Sequence, residues 1–102
     1  MPIDVSNYQP LAFETLTPGI VTAVGITEAV RRIGTTRARV AIIGPIETQA
    51  VRYRTDGGNP TTTVGHLLAT SDVLSLEGPT TIDKLKIIAV VAGASVPVST
   101  YM

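Results

Sequence analysis

The most regular feature of this chain of 102 residues is a series of short segments in which apolar and polar side chains alternate. Ala38, Val40 and Ile42 would share one face of an extended strand, because side chains in a strand alternate with a period of two. Val51 and Tyr53 alternate with two arginines in the same way. These patterns and similar apolar runs predict strands over residues 12–17, 20–26, 37–43, 46–54, 64–69, 73–76, 83–92 and 96–101.

Turn-forming residues separate these segments. Gly44-Pro45 is predicted to join residues 37–43 and 46–54 as a hairpin, and residues 70–72 to join 64–69 and 73–76 as another. About seven or eight short strands with regularly spaced turns are typical of an antiparallel sandwich or barrel. We therefore predict an all-β fold, an antiparallel β-sandwich of jelly-roll-like type.

The chain is predicted to consist of an N-terminal arm and one domain. Residues 1–12 contain two prolines among polar residues and are predicted to form an extended N-terminal arm, with a frayed terminus as the alternative. Residues 13–102 are predicted to form a single domain. The segment from Thr27 to Gly34 is left open between a helical turn and a strand, because its ends suit a helix while its apolar residues suit either.

Composition supports the strand-rich prediction and removes several classes of function. The β-branched residues Val, Ile and Thr are abundant, and such residues favour strands. The chain has no cysteine, which excludes disulfides, thiolate metal sites and a cysteine nucleophile. Its 8 basic and 8 acidic residues balance, which disfavours generic binding to nucleic acid or a membrane surface. No signal peptide or apolar span is predicted, so we expect synthesis in the cytoplasm.

Residues suited to catalysis are few and scattered. His66 is the only histidine, and a structural or surface role is expected for it because one imidazole does not make a conventional zinc site. Asp56, Asp72 and Glu77 fall in predicted turns, where carboxylates usually act as turn-formers. We therefore predict no enzymatic activity, no cofactor and no metal, and we leave calcium or sugar binding by residues 56–59 open.

Arginines are concentrated in one part of the sequence, since six of the eight basic residues lie between positions 31 and 54. If residues 37–43 and 46–54 pair, four of these arginines occupy one face, and like charges opposite each other are unfavourable. That face would be either solvated or docked on an acidic partner, whose carboxylates the arginine fork binds in a bidentate manner. The predicted partner-binding arginines are Arg37, Arg39, Arg52 and Arg54.

The segment from Ile87 to Ala92 is apolar on both faces of its predicted strand. Such a strand lies either under a second layer of the same chain or in a subunit contact. We include Ile88 and Val90 among the predicted partner-binding residues and expect a homo-oligomer.

The C-terminal half of the chain, from about residue 51 to residue 101, resembles small virion proteins of tailed bacteriophages. The pattern consists of an aromatic-Arg pair, Asp-Gly, Pro-Thr, Val-Gly, a Leu pair, an apolar hairpin, a Gly turn and a final strand ending in Tyr. The matching positions are Tyr53, Arg54, Asp56, Gly57, Pro60, Thr61, Val64, Gly65, Leu67, Leu68, Gly78 and Tyr101.

This resemblance implies a β-sandwich virion component, a capsid decoration or cement protein located on the capsid surface after synthesis in the host cytoplasm. It would bind the major capsid protein or another virion protein and stabilise contacts between major capsid subunits. The alternatives are a tail, connector or head-fibre base component, and a small carbohydrate- or receptor-binding module. Nucleic acid, membrane and small-molecule substrate are not expected as partners.

Overall fold

Antiparallel strands account for most of the regular structure in the computed structural model, which describes residues 8–102. The strands are Pro10–Leu16 (β1), Arg32–Ile33 (β2), Thr36–Arg37 (β3), Val40–Ile43 (β4), Val51–Arg54 (β5), His66–Leu68 (β6), Leu74–Glu77 (β7), Lys86–Ala89 (β8) and Val96–Tyr101 (β9). Two short helices are present in this range, Glu28–Arg31 (α1) and Pro79–Lys84 (α2). In this part of the chain neither helix has the length and apolar character needed to cross a bilayer.

The strands form two larger sheets and one small ribbon. One sheet has four strands in the order β1-β9-β4-β7, the other has three in the order β6-β5-β8, and β2 pairs with β3. Every one of these pairings is antiparallel. The prediction of a predominantly β fold with antiparallel sheets is therefore confirmed.

Both predicted hairpins are wrong. Strand β4 pairs with β7 and β9 rather than with β5, so Gly44-Pro45 leads the chain from one sheet to the other. Strands β6 and β7 also lie in different sheets. Turn-forming residues show where a chain bends, but burial against distant strands decides which strands pair: Val51 of β5 lies between Leu68 and Ala89.

Two other segments differ from their predicted form, and a third had been left open. Residues 20–26 contain only an isolated bridge, between Val24 and Ile87, instead of a strand. Residues 79–84 are helical although a strand was expected from residue 83, because Pro79 suits the first turn of a helix and Ile82 is buried. The open segment 27–34 contains both forms, since helix α1 is followed directly by β2.

One hydrophobic cluster contains side chains from both larger sheets. Ile43 and Val98 come from the four-stranded sheet, and Val51 and Ile87 come from the three-stranded sheet. Thr100 is a buried polar residue, and its hydroxyl donates a hydrogen bond of 2.7 Å to the carbonyl oxygen of Val30. This bond connects β9 to helix α1 while satisfying the buried hydroxyl.

The first seven residues of the predicted arm lie outside the described part of the chain. The remainder of that predicted segment enters β1 at Pro10, and Gln9 exchanges two backbone hydrogen bonds with Met102. The last part of the predicted arm therefore joins the edge of the four-stranded sheet.

Candidate interaction surfaces

The four predicted partner-binding arginines do not share one face. Arg37 lies on β3, Arg39 just precedes β4, and Arg52 and Arg54 lie on β5. The expected arrangement depended on pairing between residues 37–43 and 46–54, and these segments belong to different sheets. Each arginine therefore has its own surroundings.

Arg52 ties β5 to the long connection that follows it, residues 55–65 (the β5–β6 loop). Its Nε donates to the carbonyl oxygen of Thr62 at 3.1 Å, and its Nη1 donates to that of Gly65 at 3.0 Å. A charged donor bound to two carbonyl oxygens makes strong hydrogen bonds. Arg52 thus acts within the chain, holding the loop against the sheet.

Arg54 makes a two-point contact with Asp56 at the start of this loop. The Nε–Oδ1 distance is 3.0 Å and the Nη2–Oδ2 distance is 2.6 Å, while Oδ1 also accepts a hydrogen bond from the backbone N–H of Gly58. A Cβ at Gly58 would lie 2.6 Å from Cζ of Arg54, so glycine allows the guanidinium to lie close to the backbone. Both carboxylate oxygens of Asp56, in the segment for which calcium binding was left open, therefore already accept hydrogen bonds within the chain.

This contact predicts a pH response. The hydrogen bonds from Arg54 and then Gly58 lower the pKa of Asp56 to about 2, below an unfolded value of about 3.9. The ionised carboxylate therefore favours the folded state above about pH 4, and this contribution is lost as the pH falls towards 2. In an Arg54→Gln variant, NMR titration of the Asp56 carboxyl carbon is expected to show a pKa raised towards about 3.9. An Arg39→Gln variant is the control, and an unchanged Asp56 pKa in Arg54→Gln would refute the assignment.

Further contacts hold the remainder of the β5–β6 loop. The Thr61 hydroxyl accepts a hydrogen bond of 3.0 Å from the N–H of Val64, and Pro60 is buried. Gly65 has φ +130°, and a Cβ there would lie 3.1 Å from the carbonyl oxygen of Tyr53. Leu68 is buried in the core, but the side chains of Val64 and Leu67 are each 53% exposed.

His66 lies at the beginning of β6, opposite Tyr53 of β5. The two ring centroids are 5.2 Å apart and the rings are tilted by 37°. The histidine side chain therefore packs on an aromatic ring at an exposed sheet edge, and no metal-binding group of three or more suitable side chains occurs among the described residues.

Three arginines converge on one aspartate, and we refer to Arg31, Arg32, Arg37 and Asp83 as the arginine centre. Nη1 of Arg31 is 3.0 Å from Oδ1 of Asp83. On the other oxygen, Oδ2, Nη2 of Arg37 donates a short hydrogen bond and Nη2 of Arg32 lies at 3.6 Å. The local concentration of arginines was visible in the sequence, but Asp83 is distant along the chain and gave no such signal.

The fold positions each member of the arginine centre. Arg31 ends helix α1, where its Nε donates a hydrogen bond of 2.8 Å to the carbonyl oxygen of Ile26, and Asp83 lies on α2. Arg32 and Arg37 are directly opposite each other in the β2–β3 ribbon. Burial tends to raise the pKa of Asp83, but hydrogen bonds and charge from Arg31 and Arg37 outweigh it and leave the pKa below its ordinary value.

The remaining predicted partner-binding residues have different degrees of exposure. Ile88 is only 2% exposed and pairs with Arg52 on the neighbouring strand β5, so it offers almost no surface to another molecule. Val90 is partly exposed beyond the end of β8. Arg39 lines an open pocket of about 320 Å³ together with Tyr8, Glu77, Gly78 and Pro79, and it makes no ion pair with any described residue.

The described residues thus define a small, predominantly β protein with antiparallel sheets, a tied β5–β6 loop and an arginine-rich surface. Comparisons with protein-family models, with curated proteins and with solved structures found no match.

Proposed function

We propose that this chain is a structural protein of a tailed-phage virion, a decoration or cement protein that binds the head surface and stabilises contacts between major capsid subunits. The resemblance in residues 51–101 supplies the virion class. In this proposal the two larger sheets form a jelly-roll-like β-sandwich, and their common hydrophobic cluster supports that arrangement.

The observation that carries the proposal is the organisation of the β5–β6 loop. Most connections between paired antiparallel strands are about 2–5 residues long, and the β5–β6 loop exceeds that length. This loop is long and is tied by Arg52, by Asp56 and by Thr61. Its shape is therefore held before any partner binds, and a preformed surface loses less conformational freedom on binding.

Val64, near the end of this loop, and Leu67, on the adjoining strand β6, present exposed apolar side chains to solvent. They belong to the phage-like pattern, yet they contribute little to the core of this chain. We assign them to the contact with the capsid, where burying apolar surface drives association. A protein that contacts two neighbouring subunits gains further strength because its second contact forms at high effective concentration.

The proposal predicts saturable binding to heads that lack this protein. Purified protein is mixed with such heads, bound copies are counted after sedimentation, and the temperature at which heads release DNA is measured. We expect stoichiometric binding and a higher release temperature. The double variant Val64→Ser with Leu67→Ser is expected to bind at least about tenfold more weakly, because it removes buried apolar contact.

A matched control uses another exposed apolar residue. Val21 is 86% exposed and lies outside the β5–β6 loop, so Val21→Ser is expected to bind heads like the unaltered chain. Circular dichroism and thermal unfolding establish that the variants are folded. Failure of the unaltered protein to bind heads, or stronger binding to tail or connector preparations, would refute the proposal.

A further inference from the structure

The arginine centre contains more positive than negative charge. Arg31, Arg32 and Arg37 share the single carboxylate of Asp83. Within the β2–β3 ribbon, Arg32 and Arg37 are direct cross-strand neighbours, and like charges in that position repel each other. Asp83 offsets only part of this repulsion, so a second anion beside these arginines would be stabilised.

Arg32 is the least satisfied of the three guanidinium groups. Its Nη2 is 3.6 Å from Oδ2 of Asp83, which is longer than a hydrogen bond. Its Nε is buried and has no hydrogen-bond partner in the described part of the chain. By contrast, Arg31 donates to both Ile26 and Asp83, so its position is held from two sides.

The four side chains of the arginine centre differ in solvent exposure, and they divide into a less exposed pair and a more exposed pair. The side chains of Arg31 and Asp83 are 22% and 24% exposed, whereas those of Arg32 and Arg37 are 40% and 43% exposed. Arg31 and Asp83 therefore form the base of the arginine centre. Arg32 and Arg37 present N–H donors to solvent on the two strands of the ribbon.

The charge distribution of the chain indicates what kind of molecule fits this surface. Several of its acidic side chains already bind groups within the chain, such as Glu14 with Thr27 and Asp72 with the N–H of Ala69. Among the described residues, the carboxylates of a second copy that make no such contact are Glu28 and Glu47, which lie on separate segments. The arginine centre is also a compact group on a chain of zero net charge rather than an extended basic stripe that follows a phosphate backbone.

We propose that the arginine centre is a receptor for a carboxylate on an acidic protein surface, with Arg32 and Arg37 as the binding groups and Arg31 and Asp83 as their support. The planar guanidinium fork matches the two oxygens of a carboxylate. This inference rests on the proposed function, because the head surface would supply the acidic side chains. It adds a charged contact to the apolar contact made by Val64 and Leu67.

The test uses a fluorescent peptide of ten glutamates and measures its binding by anisotropy at low salt. We expect saturable binding by the unaltered chain and an affinity about tenfold lower in Arg32→Gln and in Arg37→Gln, because each variant removes a charged donor pair. Lys86→Gln is the matched control. It removes one positive charge from a residue on β8 without an ion pair in the described part of the chain, and it is expected to change affinity by less than about twofold.

A conservative variant separates shape from charge. Arg32→Lys keeps the positive charge but removes the fork, and we expect it to lose most of the affinity that Arg32→Gln loses. Thermal unfolding of each variant shows whether the β2–β3 ribbon still folds. If Arg32→Gln is unfolded, the affinities of Arg37→Gln and Arg32→Lys decide whether the arginine centre binds the peptide.

Several outcomes would overturn the proposal that the arginine centre binds a carboxylate. They are absence of peptide binding, an equal loss in Lys86→Gln, and full affinity in Arg32→Lys. Tighter binding to a ten-nucleotide oligothymidylate, lost in the same variants, would assign the surface to nucleic acid instead. The peptide assay contains no heads, so a failed receptor and a failed head interaction are distinguishable. If both are correct, Arg32→Gln also weakens binding to heads.

Discussion

Replacing Gly44 with alanine is expected to lower the free energy of unfolding by about 3 kcal/mol or more. Gly44 has φ +113°, a conformation that residues with a Cβ rarely adopt. A Cβ at this position would lie 2.5 Å from the carbonyl oxygen of Asp72 and 3.2 Å from Cα of Val73. Both are backbone atoms, so relief requires movement of the chain that enters β7.

The Gly44→Ala prediction is measured by urea unfolding followed by circular dichroism. Gly19→Ala is the control, because a Cβ at Gly19 would have no atom of a non-adjacent residue within 4 Å and the φ of Gly19 is not positive. Its effect is expected to stay within about 0.5 kcal/mol. Equal stability of the two variants would show that the Gly44 turn does not lie against the Asp72 backbone.

Replacing Ile43 with alanine is expected to cost about 2–5 kcal/mol of unfolding free energy, because the change removes buried methyl groups and leaves a cavity. Ile43 is fully buried on β4, between the neighbouring strands β7 and β9. The same hydrophobic cluster contains Val51 and Ile87 of the other larger sheet. A cavity at Ile43 therefore weakens packing that both sheets share.

Ile33→Ala is the matched control for Ile43→Ala, since Ile33 is 55% exposed on the β2–β3 ribbon. Denaturant unfolding is expected to show a loss below about 1 kcal/mol for this variant. A similarly small loss in Ile43→Ala would contradict a core common to the two sheets.

The stability variants and the binding variants address separate parts of the molecule. Gly44 and Ile43 act on the packing of the two sheets, whereas the side chains of Val64, Leu67 and Arg32 are partly exposed on the surface. Variants of the second group are therefore expected to change binding while leaving the cooperative unfolding transition in place. This separation makes the proposed contacts testable in folded protein.

The arginines show how far local sequence reasoning extends towards the candidate surfaces. Their concentration between residues 31 and 54 correctly indicated that repulsion needs an explanation, but the predicted set was held together by an incorrect hairpin. Arg52 and Arg54 bind groups of the β5–β6 loop, and Arg37 joins Arg31 and Arg32 around Asp83. Only the packing of α2 beside the ribbon brings that aspartate into position.

Ile88 illustrates the same limit for the apolar residues. The segment from Ile87 to Ala92 is apolar on both faces of its predicted strand. Such a strand can be buried by other parts of the same chain or by another subunit. Ile88 is almost fully buried in the monomer, which assigns its cover to this chain. Burial depends on distant segments, and a single strand pattern contains no information about which segments these are.

The sequence by itself determined that antiparallel strands dominate, and it located β1, β7 and β9 closely because alternation is a local property of the backbone. Its turn residues also marked where the chain changes direction. The tertiary structure alone decided which strands pair, why residues 79–84 are helical, and which arginines meet Asp83. These outcomes depend on burial and charge compensation between residues far apart in sequence, and such interactions arise only when the sheets pack together.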